Sequence, residues 1–146
     1  MKQLCFLTFT AKYAKKIMNK IFNNLNYGII GNCKSSALIY KDSSIDWCCM
    51  PQFDSPSAFG KILDKKKGGH FKIICDKSYT INQSYYNNTC VLITNFKNSD
   101  NEFDVIDFMP RYEIENSSFY SSPEIIRLLK IKKGKPKIRI DYNPSL

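Results

Sequence analysis

The feature that most constrains this fold is a succession of short apolar runs, each bounded by turn-forming residues. Ser36–Tyr40 and Ile45–Cys49 flank the polar turn 41–44, a pattern typical of a β-hairpin. Further runs at 71–74, 78–86, 89–96 and 102–109 are separated by turn residues, as in a meander. Many short strands with regular turns predict an all-β, mainly antiparallel β-sandwich.

Three other segments receive local predictions. Ala58, Phe59, Ile62 and Leu63 share one helical face behind Ser57, so we expect one short helix there. The polar, serine-rich segment 111–122 predicts a loop. Residues 124–131 and 136–142 predict a last β-hairpin around the glycine-containing turn 133–135.

The positive charge of the chain does not identify a partner. The formal net charge is +9, but the lysines fall into three separate groups, at 12–20, 61–67 and 130–137. Neither a nucleic-acid recognition motif nor aromatic residues that could stack on bases accompany them. We therefore expect a solvated basic surface and no nucleic-acid partner, and rank a basic nucleic-acid-binding domain last.

The six cysteines favour reduced thiols over a disulfide framework or a metal site. Their spacing is irregular, C-x-x-C is absent, and His70 is the one histidine. We expect small buried thiols, no metal and no cofactor, in a cytoplasmic protein. We also expect no membrane partner, because no stretch is long enough to span a bilayer.

The chain divides into an N-terminal extension and one domain. Residues 1–23 hold an apolar run at 4–9 that is short for a signal peptide, and Met18 is an alternative start. We expect this extension to be poorly structured or helical. Residues 24–146 have the length of a single domain and are assigned to the β-sandwich.

Two motifs in the first half of the domain carry a family resemblance. Residues 26–33 read NYGIIGNC, and residues 44–59 read SIDWCCMPQFDSPSAF. Further matches are GGHF at 68–71, VIDFMP at 105–110 and RIDYNP at 139–144. In this order, the motifs resemble the N-terminal, trehalase-like domain of family-fifteen glycoside hydrolases of the bacterial glucoamylase and trehalase kind. Two residues depart from the family pattern: Ser43 replaces a turn glycine and Gln52 replaces an arginine.

The resemblance implies a β-sandwich that packs against a helical (α/α)6 barrel, and the barrel carries both catalytic carboxylates. We therefore assign no catalytic residue to this chain and expect the barrel on a separate or lost downstream polypeptide. Asp104 and Asp107 lie three apart on a strand, so their side chains should point to opposite faces. The first hypothesis is a non-catalytic module of a truncated or split glycosidase.

The best substrate-binding candidates are Trp47, Phe53, Asp54 and Ser55. A tryptophan can stack on a sugar ring, and the polar pair can bond sugar hydroxyls, so contact with an α-glucoside or trehalose is expected here. Each has a structural alternative: Trp47 in the sandwich core, and Asp54 or Ser55 as a turn or helix cap. A free-standing carbohydrate-binding module is the alternative function. His70 is expected to be a satisfied strand residue.

Overall fold

A computed structural model of the chain describes residues 26–145. The strands, in chain order, are β1 (Tyr27–Gly31), β2 (Ser36–Tyr40), β3 (Ile45–Cys49), β4 (Ser57–Phe59), β5 (His70–Ile74), β6 (Thr80–Tyr85), β7 (Leu92–Lys97), β8 (Glu102–Phe108), β9 (Arg111–Ile114), β10 (Ser118–Ser121), β11 (Ile126–Lys133) and β12 (Arg139–Asn143). A 3-10 turn at Glu115–Ser117 joins β9 to β10. The N-terminal extension at 1–23 lies outside the described residues.

Ten of the twelve described strands form two facing antiparallel sheets, which confirms the predicted β-sandwich, and β9 and β10 form a separate two-stranded sheet. The first sheet has the order β1-β2-β3-β5-β12, with β4 paired to β3. The second has the order β11-β8-β7-β6. The β2–β3 hairpin and the β6–β7–β8 meander are therefore confirmed, whereas β5 belongs to the other sheet.

Two apolar clusters fill the space between the sheets. The first consists of Ile30, Ala37, Ile39, Ile45, Cys48, Phe59, Leu92 and Met109. The second consists of Ile73, Tyr79, Phe96, Phe103 and Val105. Phe71 packs against both clusters, so it joins them into one core.

Two local predictions are wrong. Ser57 begins strand β4, and the segment beyond Phe59 is a series of turns, so the expected helix does not form. The reason is that β4 bonds to β3, and the Gly60 amide then donates to the Gly68 carbonyl. The segment predicted as a loop at 111–122 is instead the hairpin β9–β10.

The last predicted hairpin is also wrong, although both of its strands exist. β11 pairs with β8 in the second sheet, and β12 pairs with β5 in the first. The connection at 134–138 therefore crosses from one sheet to the other. Each strand forms backbone hydrogen bonds with a strand that would otherwise be an edge strand of its own sheet, β8 for β11 and β5 for β12. The turn residues at 133–135 carry no information about these distant partners.

The β2–β3 turn contains a residue under backbone strain. Ser43 has φ 66°, in the left-handed region where glycine is favoured. Its amide donates to the Tyr40 carbonyl at 2.8 Å, which closes the turn. Its hydroxyl is buried and has no hydrogen-bond partner. A residue with a side chain at this position therefore has a structural cost.

Candidate functional site

One end of the sandwich is organised by Asn32, in the turn after β1. Its buried Oδ1 accepts the amides of Lys34 and Ser35, at 3.1 and 3.0 Å. Its Nδ2 donates to the Ser122 carbonyl, and its own carbonyl accepts the Ser121 hydroxyl, both at 2.7 Å. Asn32 thus fastens the end of the β9–β10 hairpin to the β1–β2 turn.

The loop after β3 carries three of the four predicted site residues at this same end. The Phe53 amide donates to the Lys34 carbonyl at 3.0 Å, so the loop lies beside the Asn32 turn. The Phe53 side chain is 54% exposed, and Asp54 is exposed beside it. Ser55 Oγ accepts a hydrogen bond from the Gln52 amide at 3.2 Å. Ser55 therefore stabilises the turn, as its structural alternative predicts. Neither Asp54 nor Ser55 caps a helix.

Trp47 lies away from that loop, on the outer face of the first sheet. It is opposite Leu38 on β2, and Leu38 is opposite Ile29 on β1. Trp47 is half-buried and belongs to neither apolar cluster, so the structural alternative that it fills the core is wrong, and its role in substrate binding stays a prediction. The β-bulge between Leu38 and Ile39 shifts the register of this strand pair, so simple alternation mispredicts the face.

The β9–β10 hairpin and the sandwich enclose an open groove of about 550 Å³. Its walls include Cys33 and Cys90 from the sandwich and Phe119 from the hairpin. The Arg111 guanidinium lies 4.1 Å from the centre of the Phe119 ring, a cation–π contact that holds the two hairpin strands together. The sequence does not predict this groove, because the polar, serine-rich composition of 111–122 predicts a loop and not the β9–β10 hairpin that forms one of its walls.

A second cleft, of about 600 Å³, contains a hydrogen-bonded polar cluster. Buried Asp46 accepts Tyr27 Oη at 3.1 Å and Lys61 Nζ at 3.1 Å, and the Ser44 hydroxyl also donates to it. Burial, with the nearby Asp46 charge, raises the pKa of Tyr27 to about 12, so the phenol remains a donor. The Tyr40 ring packs against Tyr27, with the centres 5.2 Å apart. The polar atoms of this cluster bond to one another, which fixes the turn between β2 and β3.

A buried ion pair links the two sheets. Arg127 Nε and Nη2 donate to the two oxygens of Asp107 at 2.7 and 3.1 Å, and the side chains are 4% and 0% exposed. The guanidinium also donates to the carbonyls of Phe71 and Ser43, at 3.0 and 2.7 Å, and lies 4.6 Å from the Phe71 ring centre. Burial raises the pKa of Asp107, while the charge and hydrogen bonds of Arg127 oppose that rise. The pair therefore holds β11 and β8 against β5.

Asp104 and Asp107 lie on opposite faces of β8, and each bonds a basic side chain. Asp104 bonds Lys132 Nζ and Asn95 Nδ2, both at 2.7 Å, on the outer face, whereas Asp107 points inward to Arg127. Inverting hydrolysis needs two carboxyl groups about 6.5–9.5 Å apart with a water between them, and side chains on opposite faces of a sheet cannot share one.

His70 forms a side-chain hydrogen bond across two strands. Its Nε2 lies 3.1 Å from Asp141 Oδ2, and the two residues lie on the paired strands β5 and β12. This hydrogen bond is the main cause of the lowered pKa of Asp141. Within residues 26–145, no group of histidine, cysteine, aspartate and glutamate side chains could hold a metal ion.

Comparison with known proteins decides the family. A family model described as "Trehalase-like, N-terminal" matches residues 24–145. The chain belongs to this family. The trehalase of Thermoplasma volcanium is 37% identical over 122 residues, which cover 82% of this chain and 19% of the relative. Trehalase 2 of Sulfolobus acidocaldarius is 40% identical over 108 residues, which cover 74% of this chain and 17% of the relative.

The trehalase-like chain thus spans about a fifth of the length of the curated relatives it matches. No solved structure gives a significant match. Among residues 26–145, no helix is both long and apolar enough to cross a bilayer.

Proposed function

We propose that this chain is the non-catalytic N-terminal module of a glycoside hydrolase of the glucoamylase and trehalase kind, acting in carbohydrate metabolism. Its partner is a helical (α/α)6 barrel that would hydrolyse α-glucosides. The observation that carries this proposal is the family match over 24–145 in a chain that spans about a fifth of its trehalase relatives.

The distribution of acidic side chains supports a non-catalytic role. Asp46, Asp104 and Asp107 each form an ion pair with a lysine or arginine of the same chain. A general acid must donate its proton to the leaving group, and its partner must activate a water on the other side of the sugar. The described residues offer these three aspartates no shared pocket for a sugar.

The test is an activity assay on the purified chain. Glucose release from trehalose, maltose and maltodextrin should equal that of a mock preparation from the same host, which should lack its own trehalase. As a control, the Asp104→Asn variant should give the same background. Turnover that exceeds the mock preparation and follows the chain through a second purification step would contradict the proposal.

A second candidate function is a free-standing carbohydrate-binding module. The observation that favours it is the half-exposed Phe53 ring beside exposed Asp54, a combination of apolar platform and hydroxyl acceptor that suits a sugar. Ser55 shapes this loop, and Trp47, on the outer face of the first sheet, is a separate candidate for stacking on a sugar. Calorimetric titration with maltodextrin and trehalose tests it. Binding that Phe53→Ala abolishes and that Tyr86→Ala leaves intact would favour this function over the first.

A cytoplasmic location is also proposed. The described cysteines Cys33, Cys48, Cys49, Cys75 and Cys90 are free, as suits a reducing compartment. Thiol titration of protein denatured without reductant should find every cysteine free. A stable native disulfide would place the chain in an oxidising compartment instead.

A further inference from the structure

Four large side chains that point toward the core are nevertheless exposed, and they lie along one side of the sandwich. They are Leu129 and Ile131 on β11, and Ile140 and Tyr142 on β12, with exposures of 42, 59, 57 and 61%. These four residues are called the open strip below. The largest apolar patches on soluble proteins are often sites of interaction.

On β11, the strand register shows that the side chains of the open strip point toward the core. Leu129 is directly opposite Val105, and Ile131 is directly opposite Phe103. Directly opposite residues of an antiparallel pair share a face, and both partners are fully buried in the second cluster. Leu129 and Ile131 therefore extend the core toward solvent.

The same holds on β12. Ile140 is opposite buried Ile73, and Tyr142 is opposite Phe71. The Tyr142 ring meets the Phe71 ring edge-on, with centres 5.3 Å apart. The strip is thus continuous with the interior rather than a scatter of surface residues.

The exposure arises because one sheet extends farther than the other. Arg127 on β11 bonds the Phe71 carbonyl on β5, so β11 faces β5. β12 is the next strand outward in the first sheet, and β11 is the last strand of the second. Among the described residues, β12 pairs with β5 alone and β11 pairs with β8 alone, so each is an edge strand whose outer backbone groups have no strand partner. A strand added beside β11 would lie over β12.

The charge around the open strip selects the partner. From residue 125 to residue 140 the chain has seven basic residues and no acidic one. Arg127 is buried in its ion pair, and Lys132 pairs with Asp104 and Glu102, which leaves five other exposed basic residues in this segment. A second copy of this chain would bring like charges together here, whereas a partner with carboxylates beside an apolar ridge would be attracted.

We propose that the open strip is the docking surface for the remaining part of a trehalase chain, which adds a β-strand to the free edge of β11 and covers β12. This inference rests on the proposed function, because the relatives carry about four fifths of their length beyond the matched part. Backbone hydrogen bonds to β11 would give affinity, and apolar side chains on the strip would fix the register. The exposed lysines would pair with partner carboxylates.

The experiment compares this chain alone with a chimera in which it replaces the matched 122-residue segment of the Thermoplasma volcanium trehalase. The test pair is Ile131→Ser with Ile140→Ser. The control pair is Ile29→Ser with Leu63→Ser, which are 55 and 79% exposed outside the strip. The readouts are heat-inactivation rate, trehalose hydrolysis and amide hydrogen exchange on β11.

In the chain alone, both pairs should leave the unfolding midpoint almost unchanged, because the side chains are exposed. In the chimera, the test pair should speed heat inactivation about tenfold or more, because it removes buried apolar area, and the control pair should not. The outer amides of β11 should exchange about 100-fold more slowly in the chimera than in the chain alone.

Three results would overturn the proposal in distinguishable ways. A chimera that folds and hydrolyses trehalose, but whose inactivation is the same with either pair, would refute the open strip alone. An unsubstituted chimera that is inactive would refute the proposed function, and the docking surface with it. A dimer of the chain alone that the test pair dissociates would identify a second copy as the occupant.

Discussion

Replacement of Ser43 by glycine should stabilise this protein. Ser43 has φ 66°, and a residue with a Cβ is disfavoured there by about 1–2 kcal/mol. Its hydroxyl is buried without a partner, which costs about 1–3 kcal/mol. Glycine removes both terms but makes the unfolded chain more flexible, which offsets about 0.5–1 kcal/mol. The expected net gain in unfolding free energy is about 2 kcal/mol.

The contacts that Ser43 makes through its backbone should survive the substitution. Its amide closes the turn to Tyr40, and its carbonyl accepts Arg127 Nη2 at 2.7 Å. Two control variants separate the contribution of backbone strain from that of the unpaired hydroxyl. Ser43→Ala deletes the hydroxyl but keeps the strained Cβ, so it should gain less than glycine. Asn88→Gly changes another positive-φ residue, an exposed asparagine that tolerates this conformation, and should change stability little.

Urea denaturation, followed by fluorescence of the one tryptophan, measures the gain as a shift of the midpoint at constant slope. Thermal unfolding should show a rise in Tm of about 8 °C, at roughly 4 °C per kcal/mol for a domain of this size. If Ser43→Gly is no more stable than the parent, the strain and the unpaired hydroxyl do not carry the cost assigned to them. If alanine gains as much as glycine, backbone strain contributes nothing.

Two other predictions concern buried groups. Arg127→Met should cost about 3–5 kcal/mol at neutral pH by leaving Asp107 buried without its counterion, and the double variant with Asp107→Leu should recover most of that loss in urea titrations. In the single variant the folded-state pKa of Asp107 lies above its unfolded value of about 3.9, so the deficit should shrink as pH falls through the folded pKa; a deficit independent of pH would contradict this. Burial raises the pKa of Cys48 to about 11, so a thiolate-specific reagent should modify exposed Cys33 and Cys90 in native protein and reach Cys48 only after unfolding; rapid native labelling of Cys48, located by mass spectrometry, would refute its burial.

The strands were predictable from sequence because alternation and turn residues are local signals. The β2–β3 hairpin and the β6–β7–β8 meander follow from neighbouring segments alone. The pairing of β11 and β12 was not predictable in this way, because each joins a strand far back in the sequence. The glycine-containing turn at 133–135 reads as a hairpin although the chain crosses between the sheets there.

The site was predictable only in part, for a similar reason. The proline-flanked segment 51–56 predicts a loop around Phe53 and Asp54, and the structure has a loop there. The β-bulge opposite Leu38 and Ile39 leaves Asp46 as an extra residue on β3, so alternation counted from Ile45 assigns Trp47 to the wrong face of the sheet. The burial of Arg127 was not predictable, because nothing in the local sequence distinguishes a buried arginine from a solvated one.

The position of β12 has a consequence for the order of folding. The first sheet contains both β1 and β12, the first and last strands of the described chain. Until β12 leaves the ribosome, the edge of β5 has no strand partner. Pairing of β5 with β12 must then bring together two segments that are separated in sequence by all the strands of the second sheet. Contacts this distant in sequence slow folding and leave an aggregation-prone edge exposed meanwhile. The domain should therefore complete its folding only after synthesis has passed Asn143, so nascent chains arrested earlier should be the ones that chaperones retain.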